Sequence, residues 1–219
     1  MRRVFVVDWS NRKLFQQQME QHFRLRHEIY VVERQWQSIA RPIDIEMDAF
    51  DTEHAIYLLA LDSSGDVIGG SRLIPSTRPH LLGDVFPHLA KGNPPRAPAI
   101  YEWTRFFIAF PHRATGKSAR LAGEVLCGLL EASLQLGVRQ ISVVCEAFWP
   151  ARLRTLGWTV EVLGEQLALD DSEIVAALIE VTEAALEGTR RFYSIEGPVL
   201  HPSVVLEPVR ATEAAGHTH

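Results

Sequence analysis

The sequence predicts an α/β fold, a single-domain, three-layer α-β-α sandwich around a mixed, mostly antiparallel sheet. Three observations carry that reading. Apolar runs of strand length alternate along the chain with longer stretches of helical period. No repeat or linker divides the 219 residues, a length that suits one domain. A composition of 47% hydrophobic and 22% charged residues fills an ordinary core, and 14 glycines with 12 prolines are too few for a low-complexity chain.

Taken in order, Arg3 to Val7 reads as a short strand, after which Leu14, Met19, Phe23 and Tyr30 recur at helical spacing through about Val32. From Glu33 to Thr52 the pattern breaks into a loop holding Trp36, Pro42 and the carboxylates Asp44, Glu46, Asp48 and Asp51, either a loop with chemical work or a solvated acidic face. Ala55 to Leu61 and Val67 to Ile74 form a hairpin across the polar turn Asp62 to Asp66. Between Pro75 and Pro98 the residues Gly83, Pro87, Gly92, Pro94 and Pro95 mark a loop, interrupted by a short apolar piece at Val85 to Leu89. Ordered excursions of that length are often functional. Ile100 to Ala109 is the clearest strand and Ser118 to Leu136 a long helix. Then come a strand at Gln140 to Cys145, a short helix at Phe148 to Leu156 and a strand at Trp158 to Leu163. A last helix is expected from Ser172, with Asp170 and Asp171 upstream, to about Glu187 before Gly188. The domain is expected to span 1–207, with 208–219 a disordered tail whose histidines are solvated rather than metal ligands.

Charge and cysteine content exclude several classes. With 22 Lys and Arg against 27 Asp and Glu the net charge is −5, which argues against a nucleic-acid partner while allowing a local basic pocket. Cys127 and Cys145 are too few for a disulfide scaffold and lack metal-ligand spacing, so both are expected to be buried thiols and no metal site is expected. The apolar run behind Met1-Arg2-Arg3 stops at Asp8, short of a signal segment, and no window approaches the roughly 20 apolar residues of a membrane span. A cytoplasmic chain with no membrane partner is expected.

Directly behind the clearest strand, Pro111 to Ser118 leads into the long helix. A strand, a small-residue turn and a helix N-terminus aim free N–H groups and the positive end of the helix dipole at one point, where an anion belongs. The spacing Arg113-x-x-Gly116-x-Ser118 resembles the pyrophosphate loop of the GCN5-related N-acetyltransferases, which bind acyl-CoA there. It is no Walker loop, because the first glycine of that motif would fall at Pro111. Arg113, Gly116, Lys117 and Ser118, helped by Arg120, are therefore candidates for the phosphates of an acyl donor; a charged helix start on the surface is the plain alternative.

An ionic constellation fills the first half of the chain. Arg26, Tyr30 and Trp36 are followed by Glu46, Asp48 and Asp51, by Arg72, and by Glu102 and Arg105 inside an otherwise apolar strand. Charges in a buried strand require partners. Singly, each residue has a bland account as a solvated face, a core plug or a turn cap; together they suit a ligand carrying both signs.

The runs Arg26-x3-Tyr30-x5-Trp36, E-x-D-x-F-D at Glu46 to Asp51, G-S-R-L-I-P-S-T-x-P at Gly70 to Pro79, and E-x-T-R-F at Glu102 to Phe106 resemble the acyl-homoserine-lactone synthases, the LuxI-type autoinducer synthases. Order and spacing fit from about Arg26 to Trp158. Tyr30, where phenylalanine is usual, and Gln35, where glycine is common, are departures. The resemblance implies a GCN5-related acetyltransferase-like fold, S-adenosylmethionine and an acyl thioester as substrates, and no cofactor. In the first step the amine of S-adenosylmethionine attacks the thioester to form an amide; in the second its carboxylate closes a lactone and expels 5′-methylthioadenosine. Glu102 is the candidate base, with Arg105 beside it in the catalytic set. Arg26, Tyr30, Trp36, Asp48, Asp51 and Arg72 are expected to bind S-adenosylmethionine, the arginines either holding its carboxylate or ordering the acids. The donor is acyl-CoA or acyl carrier protein, and the lack of a broad basic surface favours acyl-CoA. Ser142, Val144, Phe148 and Trp149 are expected near the acyl chain, where the two bulky rings suit a short, branched or aromatic group or simply pack the core. A plain N-acyltransferase and a non-catalytic acyl-CoA-binding module are the rival readings.

Overall fold

Eight strands form one sheet in the computed structural model, which describes residues 3–110, 112–113, 116–169 and 172–202. Strand β1 (Val4–Val7) is followed by a 3₁₀ turn (Arg12–Phe15), helix α1 (Gln16–Arg26) and a π-helical continuation (His27–Glu33). Strands β2 (Ile56–Leu61) and β3 (Val67–Pro75) form the expected hairpin. Its turn is held by Asp62, whose carboxylate accepts the N–H groups of Ser64 and Asp66 at 2.8 and 3.0 Å. Helix α2 (Leu81–Asp84) lies in the loop excursion, then come β4 (Ile100–Ile108), α3 (Gly116–Gln135), β5 (Gln140–Glu146) and α4 (Trp149–Thr155). Short β6 (Val160–Val162) and β7 (Leu167–Leu169), long β8 (Ser172–Glu180) and α5 (Glu183–Tyr193) complete the fold. The spatial order is β1-β2-β3-β4-β5-β8-β6, with β7 also on β8.

Among the described strands only β4 and β5 run parallel, pairing from Ile100 to Trp103 against Gln140 to Val143. Beyond that point β4 stays with β3 and β5 with β8, so the sheet splits. A bulge bends β4 there: the register on β3 jumps from Phe107 opposite Gly70 to Thr104 opposite Arg72, and Arg105 takes a left-handed φ of 55°. One face of the sheet is closed by α3 and α5, with Leu126, Leu129, Leu130 and Leu186 packed on Leu58, Leu73, Trp103 and Ile141. On the other face two smaller apolar clusters form, one from α1 and the π turn over Tyr57, Leu59 and Phe107, the other from Leu82 and Leu89 over Ile174 and Ala176. Between them the register lines up Arg72 with Thr104 and Glu102 with Ser142, a polar strip on a buried sheet.

The sandwich matches the sequence reading except at α2, which lies in a segment read as loop, and at the C-terminal end. Ser172 opens strand β8, not a helix, and the helix begins only at Glu183. The run Ile174 to Ile179 is continuously apolar because β8 lies between β5 and β6 and is covered on both faces, and such a run has no period to separate strand from helix. The working helix cap is Thr182, whose hydroxyl accepts the Ala185 N–H at 3.1 Å. Gly188 sits inside α5 rather than ending it, because a Cβ there would lie 2.2 Å from the Leu156 carbonyl oxygen. Cys127 is buried as expected, whereas Cys145 is only half-buried. Asp170, Asp171 and the tail beyond residue 202 lie outside the described residues.

Candidate active site

Three arginines and three acids meet at the bulge. Arg26, from the last turn of α1, donates to Glu46 through Nε and to both oxygens of Asp51 at 2.8 and 2.9 Å. Arg72 on β3 donates to both oxygens of Asp48 at 2.7 and 2.9 Å, approaches Asp51 at 2.6 Å and reaches Thr104 Oγ1 through Nε at 3.0 Å. Arg105 holds both oxygens of Glu46 at 2.9 and 3.1 Å and Asp48 at 2.9 Å. The side chains of Arg26, Arg72, Glu46 and Asp51 are fully buried, while Asp48 and Arg105 keep 15% and 9% exposure. The outward members of the network are therefore Asp48 and Arg105. Burial alone would push Glu46 up, but the guanidinium groups of Arg105 and Arg26 outweigh it and hold its pKa at about 2. Asp51 is likewise held low against its burial by Arg26 and Arg72.

The aromatic pair lies beside this network. The rings of Tyr30 and Trp36 stack 5.0 Å apart, the Arg105 guanidinium lies 5.5 Å from the Tyr30 ring, and the Tyr30 hydroxyl donates to the Phe106 carbonyl at 2.9 Å. That hydroxyl is the extra group supplied where phenylalanine is usual, and burial pushes its pKa to about 12. Gln35 adopts φ 58°, the left-handed conformation that glycine enters most readily, in keeping with the glycine the resemblance implies there.

Glu102 stands two residues before Thr104 along the polar strip, with its carboxylate facing the start of α2. Its two oxygens accept the Leu81 and Leu82 N–H groups at 2.7 and 2.6 Å, and the residue is fully buried. The segment is fixed by Asp84, which accepts the His80 N–H at 2.7 Å and pairs with Arg96 at 3.1 Å. Burial raises the Glu102 pKa to about 7, although the two amides and Arg72 act in the opposite direction. A carboxyl tuned to neutrality and held by neutral donors is suited to taking and returning a proton.

The split between β4 and β5 opens beside Glu102. Ser142, opposite Glu102 on β5, is buried with its hydroxyl 3.5 Å from the Tyr101 carbonyl oxygen, and half-buried Val144 faces the Leu82 cluster. Trp149 stands edge-on to Trp103 and Phe106 with ring centroids 6.0 and 5.6 Å away. Phe148 stacks on Trp149 but is 57% exposed, so it rims the split rather than lining its depth. At the expected phosphate cradle, Arg113 donates to the Ile108 carbonyl at 2.5 Å and to both oxygens of Glu33 at 2.6 and 2.7 Å. Gly116, Lys117 and Ser118 form the first turn of α3, and the side chains of that turn lie outside the described residues. Arg120 donates instead to the Ser194 carbonyl at 2.8 Å. A cleft of about 520 Å³, bordered by Trp9, Arg12, Phe23 and Ile45, contains none of the candidate catalytic or binding residues. Among the described residues no group of His, Cys, Asp and Glu could hold a metal ion.

A family profile described as autoinducer synthase matches residues 10–188. The chain belongs to the autoinducer synthase family. It is accordingly an acyltransferase of the acyl-homoserine-lactone synthase type. It is 36% identical over 185 residues to isovaleryl-homoserine lactone synthase of Bradyrhizobium diazoefficiens, covering 84% of this chain and 82% of that one. Among solved structures it is 56% identical to MesI, a CoA-dependent acyl-homoserine lactone synthase, over 91% of this chain and 100% of that one with a TM-score of 0.84. BjaI, a CoA-dependent synthase solved with S-adenosylmethionine and isopentyl-CoA, is 33% identical over 91% and 92% of the two chains with a TM-score of 0.84. Escherichia coli ElaA, 15% identical with a TM-score of 0.56, shares the fold alone.

The sequence reading singled out neither Tyr57 nor Thr104, which ligate the network, and it noted Glu46 only as part of the acidic run. The visible signal for Glu46 was its place in that run, E-x-D-x-F-D. For Tyr57 and Thr104 the signal is register: both lie opposite Arg72 on the neighbouring strands.

Proposed function

We propose that this synthase joins S-adenosylmethionine to a short branched acyl group delivered as acyl-CoA, with Glu102 as the base. The observation that carries the proposal is the Glu102 carboxyl, buried beside the β4–β5 split with a pKa near 7 and an ion network two residues along the strands. S-adenosylmethionine carries an ammonium, a sulfonium and a carboxylate, hence one net positive charge. Three guanidinium groups and three carboxylates balance within the network, so an ionised Glu102 leaves the site with the complementary charge. Asp48 and Arg105, the outward members, would meet the cationic groups and the carboxylate of the ligand; Arg26, Arg72, Glu46 and Asp51 would hold them in place. Tyr30 and Trp36 supply an aromatic wall for the sulfonium or adenine.

Glu102 takes a proton from the substrate ammonium, the freed amine attacks the thioester carbonyl, and the departing thiolate is protonated as the amide forms. The methionyl carboxylate then attacks its own γ-carbon and breaks the carbon–sulfur bond, releasing 5′-methylthioadenosine. Because the sulfonium is a good leaving group, holding the chain folded supplies much of this second step. The reading uses no cofactor and places the activity in the cytoplasm, in keeping with two free thiols; among the described residues no helix is long and apolar enough to cross a membrane. The CoA donor and branched acyl group are supported by the activities named for MesI, BjaI and the Bradyrhizobium relative, and by Trp149 standing at the split. The test is incubation with S-adenosylmethionine and matched straight, branched and aromatic acyl groups, each on CoA and on carrier protein. Isovaleryl-homoserine lactone with equimolar methylthioadenosine from isovaleryl-CoA is expected. CoA release that does not depend on S-adenosylmethionine would instead identify a plain acyltransferase.

A further inference from the structure

The Arg113 guanidinium is already engaged. Its Nε is fastened to the carbonyl of Ile108, the last residue of β4, and its Nη1 faces both oxygens of Glu33 at 2.6 and 2.7 Å. Glu33 ends the π-helical continuation, 80 positions away along the chain, and its side chain is 54% exposed against 29% for Arg113. The next residue, Arg34, pairs with Glu146 at the end of β5. Two adjacent residues of one turn thus reach the segment behind β4 and the end of β5. A carboxylate is the side chain that most resembles a phosphate edge in charge and in oxygen geometry, and the two compete for the same guanidinium.

We propose that Glu33 is an internal occupant of the donor's phosphate site, sitting on Arg113 until the phosphates of acyl-CoA displace it. The inference rests on reading Arg113 as a phosphate-binding residue. Displacement exchanges one ion pair for another, so Glu33 weakens the affinity for acyl-CoA without touching the acyl group. A partly exposed pair contributes modestly, so the competition is worth a small factor rather than orders of magnitude. A donor without phosphates has no quarrel with Glu33 and should be blind to its charge.

The experiment measures KM for isovaleryl-CoA and for isovaleryl-pantetheine in wild type, Glu33→Gln, Arg113→Gln and the double variant. Glu33→Gln is expected to lower the isovaleryl-CoA KM roughly two- to fivefold and to leave the pantetheine KM in place. Arg113→Gln is expected to raise the isovaleryl-CoA KM, and in that background Glu33→Gln should have no further effect. If Arg113→Gln raises KM but Glu33→Gln leaves it unchanged or raises it, the competition is overturned while the phosphate reading stands. Equal shifts for both donors would also overturn it, because the effect would not pass through phosphate. An Arg113→Gln variant with unchanged KM would remove the phosphate reading and the competition together.

Discussion

Glu46 and Glu102 are both fully buried, on the same side of the same sheet, yet their pKa values lie near 2 and near 7. Desolvation pushes both upward. Glu46 is answered by two guanidinium groups, which more than restore its charge, whereas Glu102 is answered by two backbone amides, which restore it only in part. The charge of the partner, rather than the depth of burial, separates a carboxylate that holds a site together from one that can work in it.

The largest expected effect breaks the working half. Glu102→Gln keeps the shape and can accept one of the two amide N–H groups but removes basicity, so turnover should fall by about 10²–10⁴-fold while circular dichroism shows the protein still folded. In wild type, kcat/KM for S-adenosylmethionine should rise with pH through about 7 as Glu102 ionises, and steady-state rates across that range in both proteins check the assignment. Near-normal turnover in the variant would exclude Glu102 as the base. The structural half should break differently: Glu46→Gln leaves Arg26 and Arg105 short of a buried charge and should cost about 3–5 kcal/mol of stability in urea unfolding. The two residues also pull stability in opposite directions with pH. Glu46 has a folded pKa below its unfolded 4.5, so its contribution is present above 4.5 and lost as pH falls toward 2. Glu102 has a folded pKa above 4.5, so its contribution is present below 4.5 and lost as pH rises toward 7. Each Gln variant should remove only its own limb from the pH dependence of the unfolding midpoint.

Much of this was legible in the sequence because function forces charges into places where apolar residues would do. Glu102 and Arg105 interrupt the apolar run Ile100 to Ala109, and for Arg105 the acidic loop offered the partners, Glu46 and Asp48, that it holds. The bulge that turns Arg105 toward Glu46 was not legible, since it depends on how β4 registers against β3 and leaves no residue-type signature. Helix α2 was equally hidden: four residues long, it carries no period, and its role is to present two N–H groups to a residue 21 and 20 positions away. Strand β8 was misread for the opposite reason, a surplus of apolar residues that fits strand and helix alike.

The smallest expected effect sharpens the comparison at its border, on the acid that is neither sealed in like Glu46 nor held by amides like Glu102. Asp48 is gripped by Arg72 and Arg105 but keeps 15% exposure, so it contributes to the network and, in the proposed reading, also meets S-adenosylmethionine. Asp48→Asn leaves three guanidinium groups facing two carboxylates, and the added positive charge opposes a substrate that carries one itself. The KM for S-adenosylmethionine should rise about tenfold, equivalent to about 1.4 kcal/mol, and the rise should shrink as salt screens the exposed side of the charge. The KM for isovaleryl-CoA should not move, because the proposed reading seats the donor in the split and not against Asp48. Parallel increases for both substrates would mean that Asp48 only props up the fold, and the ligand-facing place in the network would pass to Arg105 alone.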